Sequence, residues 1–172
     1  PMRCFSSINE FESYPYPNAE KDYNWDVFNT NVESIKMGGN VAVAHLGTTI
    51  FEIAWYLRGM DNLLVDMIMN EQMAIYHLDR ITDIRCYCAG VAAKSGVDMI
   101  WLGDDVSTQL DMMMAPETWR KYLKPRLKKV IDSAKEVKED VLIVYHGDGN
   151  LQKIIPELIN VGVDILNPVQ PE

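Results

Sequence analysis

Four short apolar runs, each stopping on a glycine or a polar residue, constrain this chain more than any other feature. Val41-Ala-Val-Ala-His45-Leu46 lies between Gly39 and Gly47, and Val97-Asp-Met-Ile-Trp-Leu102 runs into Gly103-Asp104-Asp105. Val141-Leu-Ile-Val-Tyr145 ends on His146-Gly-Asp148-Gly-Asn150, and Val163-Asp-Ile-Leu166 ends on Asn167-Pro168. Runs of this length bounded by turn residues read as buried strands. Such strands, separated by helix-length stretches, favour a parallel sheet with right-handed crossovers. Folds of that kind gather their chemistry where the strands end.

The intervening stretches carry helix signals. Trp25 to Met37 repeats apolar residues at spacings of three and four, and Gly38-Gly39 closes it. Thr48 or Thr49 is placed to cap a helix through Leu57 that stops at Gly59, and Asp61 to cap the next. A long helix is expected from Glu71 to Ser95, and another from Pro116 to Lys138, kinked at Pro125. Leu151 to Asn160 supplies the last. Residues 1 to 24 show no periodicity and read as irregular.

With 172 residues the chain fits one domain able to bury a sizeable core. A formal charge of −9 argues against nucleic acid or an anionic membrane as partner. No apolar run approaches the roughly 20 residues of a membrane span. The three cysteines make no disulfide framework, so a cytoplasmic setting is expected.

His146 and Asp148, two residues apart on a turn, are suited to share a metal ion or a substrate proton. Zinc accepts imidazole and carboxylate but needs three protein ligands and an open position for catalysis. The plain alternative is a strand-end histidine beside an aspartate that shapes a glycine turn. Asp104 and Asp105 can hold a cation, polarise a substrate or share a proton, or else form a turn and a helix cap. His45 reads more simply as a core histidine, Cys86 and Cys88 as helix residues facing different ways, and Met112 to Met114 as gap-fillers. Lys124, Arg126, Lys128 and Lys129 read as a solvated helix face.

Five motifs, taken together, resemble the uroporphyrinogen decarboxylase superfamily in order and spacing. They are Gly47-Thr-Thr-Ile-Phe-Glu-Ile-Ala-Trp55-Tyr-Leu-Arg-Gly59, Gly103-Asp-Asp-Val-Ser-Thr-Gln109, Pro116-Glu-Thr-Trp-Arg-Lys-Tyr-Leu-Lys-Pro125, His146-Gly-Asp-Gly-Asn150 and Gly162-Val-Asp-Ile-Leu-Asn-Pro-Val-Gln-Pro171. The resemblance implies an α/β fold, the (β/α)8 TIM barrel of the URO-D type, of which residues 1 to 172 form a single, partial domain of about half a barrel. Decarboxylases of the superfamily use no cofactor and grip uroporphyrinogen with an N-terminal arginine- and aspartate-bearing loop, after which this chain is expected to begin. Their active-site tyrosine aligns with Trp55.

The other branch resembles corrinoid-dependent methyltransferases, in which zinc held by a His-x-Cys motif and a distant cysteine activates a thiol. The histidine matches His146, while Asp148 stands at the cysteine position. Gly-Asp-Asp and Asn-Pro-Val-Gln-Pro bring the chain closer to this branch. Methyl transfer linked to a corrinoid or other tetrapyrrole is therefore the expected activity, with the corrinoid delivered by a partner protein. His146, Asp104 and Asp105 are the expected catalytic residues, and His146 with Asp148 the zinc ligands. Trp55, Arg58, Gln109, Asn167 and Gln170 are expected to meet the substrate. The alternatives are decarboxylation of uroporphyrinogen and an inactive half-barrel that serves as a structural unit or homodimer.

Overall fold

The computed structural model describes residues 1–169, so Gln170 lies outside the described residues. The elements run α1 (Ile8–Glu12), α2 (Trp25–Met37), β1 (Val43–His45), α3 (Phe51–Arg58), α4 (Met60–Met69) and α5 (Glu71–Lys94). They continue through β2 (Met99–Gly103), α6 (Pro116–Tyr122), α7 (Lys124–Lys135), β3 (Leu142–His146), α8 (Ile155–Val161) and β4 (Ile165–Asn167). All strand pairs are parallel, in the order β1-β2-β3-β4. Each strand joins beside its predecessor after a helical return, so the sheet grows in one direction without reversal. Among the described residues no helix is long and apolar enough to cross a membrane.

The strands sit slightly later than their apolar runs. Val97 and Val141 are fully buried yet precede the ladder, while His146 and Asn167 pair within it. Side-chain polarity marks a run's end; backbone pairing continues for as long as the neighbouring strand offers partners.

Register divides the sheet into two unlike faces. Ala44, Ile100, Leu102, Ile143 and Tyr145 are buried with the helices in the main core. The opposite face carries Val43 and His45, Met99 and Trp101, Leu142, Val144 and His146, then Ile165 and Asn167. Val144 at its centre is buried, but Val43 is 44% exposed, Leu142 39% and Ile165 38%. This second face is open and partly apolar. His45 stands on it, exposed, and is not a core histidine. That place belongs to His77, buried between Tyr16 Oη, 2.7 Å from Nδ1, and the Ala54 carbonyl, 3.0 Å from Nε2.

Three local expectations are corrected. The N-terminal segment is not irregular throughout: the Glu10 carboxylate accepts the Ser6 and Ser7 N–H groups at 2.8 and 2.9 Å and starts α1. Met2 and Phe11 then pack with Met73 in a second small core. Pro125 does not kink a continuous helix; Leu123 separates α6 from α7, and the proline falls in the first turn of α7, where a missing N–H costs nothing. Arg126 and Lys129 are not simply solvated, because they pair with Asp79 and Asp83 of α5, each at 2.7 Å. Met112, Met113 and Met114 pack against the main core, as gap-fillers do.

Candidate functional site

The site forms at the C-terminal ends of β2, β3 and β4, where two close approaches set its geometry. Gly103 faces the backbone of His146 so closely that an added Cβ would stand 2.3 Å from the His146 carbonyl oxygen. Gly149 has φ of +90°, and a Cβ there would lie 2.5 Å from the Thr108 carbonyl oxygen. Both positions require glycine, and through them the loops after β2 and β3 pack against each other.

That packing brings three ligand-type side chains together. The imidazole of His146 and the carboxylates of Asp105 and Asp148 offer one atom each within 4.8 Å of one another. His146 Nε2 is 3.8 Å from Asp148 Oδ1. The Asp148 backbone is gripped at both ends: its N–H donates to Asp105 Oδ1 at 2.8 Å, and its carbonyl accepts from Ser107 Oγ at 2.9 Å. His146 Nδ1 meets Asn167 Oδ1 at 3.0 Å. Zinc bound to nitrogen and oxygen at its usual bond lengths brings donor atoms roughly 3.4 Å apart. The three residues are thus within a small closing movement of a metal-binding arrangement. One imidazole and two carboxylates form a hard donor set that suits Zn²⁺ or Mn²⁺ better than a thiolate-seeking ion.

Asp104 lies on the other side of the strand end. It is buried and accepts the Ile50 N–H at 3.0 Å and the Glu52 N–H at 3.0 Å, capping α3 from a distant part of the chain. Thr48 and Thr49 do not cap that helix. The Thr49 hydroxyl instead donates to the Leu46 carbonyl at 3.0 Å and accepts the Gly103 N–H at 2.8 Å. Burial pushes the Asp104 carboxyl up to about 7, against the opposing pull of its backbone donors. The Tyr145 hydroxyl reaches the Asp104 carbonyl at 3.3 Å, and burial raises its pKa as well. Glu52 links this buried layer to the site: it accepts the Asp105 N–H at 3.3 Å and the Tyr56 hydroxyl at 2.9 Å, and the bond to Glu52 raises the Tyr56 pKa.

The remaining expected residues divide. Gln109 is exposed and lines a cavity of about 620 Å³ with Leu110, Leu151, Ile155 and Val169, beside the strand ends. Trp55 is partly buried in α3, packed against Tyr56. Arg58 is buried away from the strand ends, where it pairs with Asp66 at 2.7 Å and donates to the carbonyls of Met2 and Phe5. Ser107, Glu52 and the orienting contact of Asn167 were not readable from the motifs. Only Asn167 carried a usable signal, as the polar residue closing the fourth apolar run.

The family model described as uroporphyrinogen decarboxylase (URO-D) matches residues 3–168. Among solved structures the chain is similar to a methyltransferase from Methanosarcina mazei, with 24% identity and a TM-score of 0.56. That alignment covers 66% of this chain and 32% of the other, so the chain spans about a third of that protein's length. At this identity the likeness is one of fold. A search of curated proteins found no match.

Proposed function

This chain belongs to the uroporphyrinogen decarboxylase (URO-D) family, and we propose that within it the strand-end site serves methyl transfer, with His146, Asp148 and Asp105 holding a divalent metal ion. The observation that carries this reading is the convergence of those three side chains from two strand ends. The fold likeness to a methyltransferase supports it.

When bound, such an ion supplies Lewis acidity, which lets a coordinated thiol or water react as its anion near neutral pH. The residues contribute separate parts. His146 offers a ring nitrogen, Asp148 and Asp105 offset the charge of the ion, and Ser107 holds the Asp148 loop in place. Asp104 supports α3 from beneath and does not reach the open face. A methyl-bearing corrinoid, on this reading, stays on its own partner protein, and no residue here is assigned to hold it.

On the same reading the open sheet face is the inner wall of a (β/α)8 barrel. One-directional winding and the exposed Val43, Leu142 and Ile165 support that placement. The closing wall would come from further chain or from a second copy, which sedimentation of the protein distinguishes.

Decarboxylation of uroporphyrinogen, a substrate with many carboxylates, gains less support. The charged groups gathered at His146 are acidic, while Arg58, Arg85, Arg120 and Arg126 are held by Asp66, the Thr48 and Thr49 carbonyls, Glu157 and Asp79 respectively. The test is methyl transfer from methylcobalamin to a thiol with Zn²⁺ present. Turnover that disappears in His146→Ala supports the proposal; equal turnover in metal-free His146→Ala refutes it.

A further inference from the structure

A histidine that binds through one nitrogen must keep its proton on the other, and free histidine favours the wrong form for the present site. Its neutral ring prefers the proton on Nε2, the nitrogen that here faces Asp148. A neighbour must therefore reverse the preference.

Asn167 is placed to do so. Its side-chain oxygen lies 3.0 Å from His146 Nδ1. An amide oxygen only accepts, so the ring nitrogen facing it must donate. Asn167 is itself fixed by the sheet: it pairs in register with His146, and its carbonyl accepts the Gly147 N–H at 3.1 Å. The contact thus joins two neighbouring strands. Asn167 also terminates β4 at the level where His146 terminates β3, so the side chains of the pair leave the same face of the sheet.

We infer that Asn167 is a positioning residue that holds His146 as its Nδ1–H tautomer and leaves the Nε2 lone pair free to bind a ligand. Its partner in this role is the imidazole and not the substrate. The inference deepens the proposed function and rests on its use of His146 as the site's nitrogen donor. The tautomer can nevertheless be read without any metal.

The experiment is long-range ¹⁵N–¹H correlation NMR of the histidine rings in metal-free protein, at a pH where the ring of His146 is neutral. Wild type is expected to show His146 mainly as Nδ1–H. Asn167→Leu, which offers no acceptor, should change it to mainly Nε2–H, and Asn167→Asp, which restores an acceptor, should return it to Nδ1–H. Backbone amide spectra that overlay across the variants show that each has folded. Zn²⁺ titrations of the same samples should give an affinity roughly 10- to 100-fold weaker for Asn167→Leu, the usual effect of losing such a support. A wild-type Nε2–H signal, or Nδ1–H persisting in Asn167→Leu, overturns the inference. If the tautomers behave as expected and wild type binds no Zn²⁺, the positioning role stands and the metal reading fails.

Discussion

Asp148 donates its backbone N–H to Asp105 Oδ1 over 2.8 Å, although the two residues sit in loops that follow different strands. Ser107, from the same loop as Asp105, holds the Asp148 carbonyl at 2.9 Å. One loop therefore sets where the other presents its carboxylate. Ser107→Ala removes one of the two supports and no metal ligand. It should weaken Zn²⁺ binding by roughly 10-fold, at the lower end of the range for lost ligand supports. Calorimetric titration beside wild type measures this, and an unchanged affinity would show that the clamp does not organise the site.

Gly103→Ala tests the approach of β2 to β3. The new methyl would stand 2.3 Å from the His146 carbonyl oxygen, a backbone atom that cannot swing aside. The strands must part, at a cost of about 1–3 kcal/mol, the usual scale for overpacking. A lower denaturant midpoint is the expected result, accompanied by weaker metal binding. An unchanged midpoint would contradict the geometry.

Asp104 should make stability depend on pH. Its carboxyl is pushed up to about 7 in the folded protein, from an ordinary value of 3.8. Between those values the folded state keeps a proton that the unfolded chain releases. The group's contribution is therefore largest below about pH 4 and falls by about 1.4 kcal/mol per pH unit until about pH 7, then levels off. Asp104→Asn, neutral throughout, lacks this slope. Unfolding free energies of the two proteins at pH 5 and pH 8 give the comparison, and parallel curves would rule the effect out.

Arg58 should matter for folding rather than for substrate. Arg58→Met leaves Asp66 buried without its partner, a change that typically costs 3–5 kcal/mol. It also removes the guanidinium donor to the Met2 and Phe5 carbonyls, so limited proteolysis should cut the N-terminal segment sooner. Replacing Asp66 by leucine in the same protein should recover much of the stability. If Arg58→Met retains wild-type stability, the buried pair is not the anchor.

The sequence made the sheet legible because each strand is an apolar run with a sharp polar end, as at Tyr145-His146. The Ser7–Glu10 pairing was equally visible as a pattern, but Tyr14, Pro15, Tyr16 and Pro17 nearby suggested irregular chain. The capping of α3 was hidden for a different reason. Thr48 and Thr49 satisfy the local rule, yet the helix takes its cap from Asp104, more than fifty residues later. Within the site, His146 and Asp148 could be paired from their spacing. The approach of Asp105 and Asn167 arises from register between strands, and no local pattern encodes that. Gly103 and Gly149 permit it, but in the sequence a glycine of close approach looks like any turn glycine.

Calorimetric titration of the protein with Zn²⁺ asks whether His146, Asp148 and Asp105 together bind a divalent ion. One ion bound per chain is expected, with binding abolished by His146→Ala and strongly weakened by Asp148→Ala and by Asp105→Ala. Absence of Zn²⁺ binding by the folded wild type, or binding that survives His146→Ala undiminished, would contradict a metal site built on these three residues.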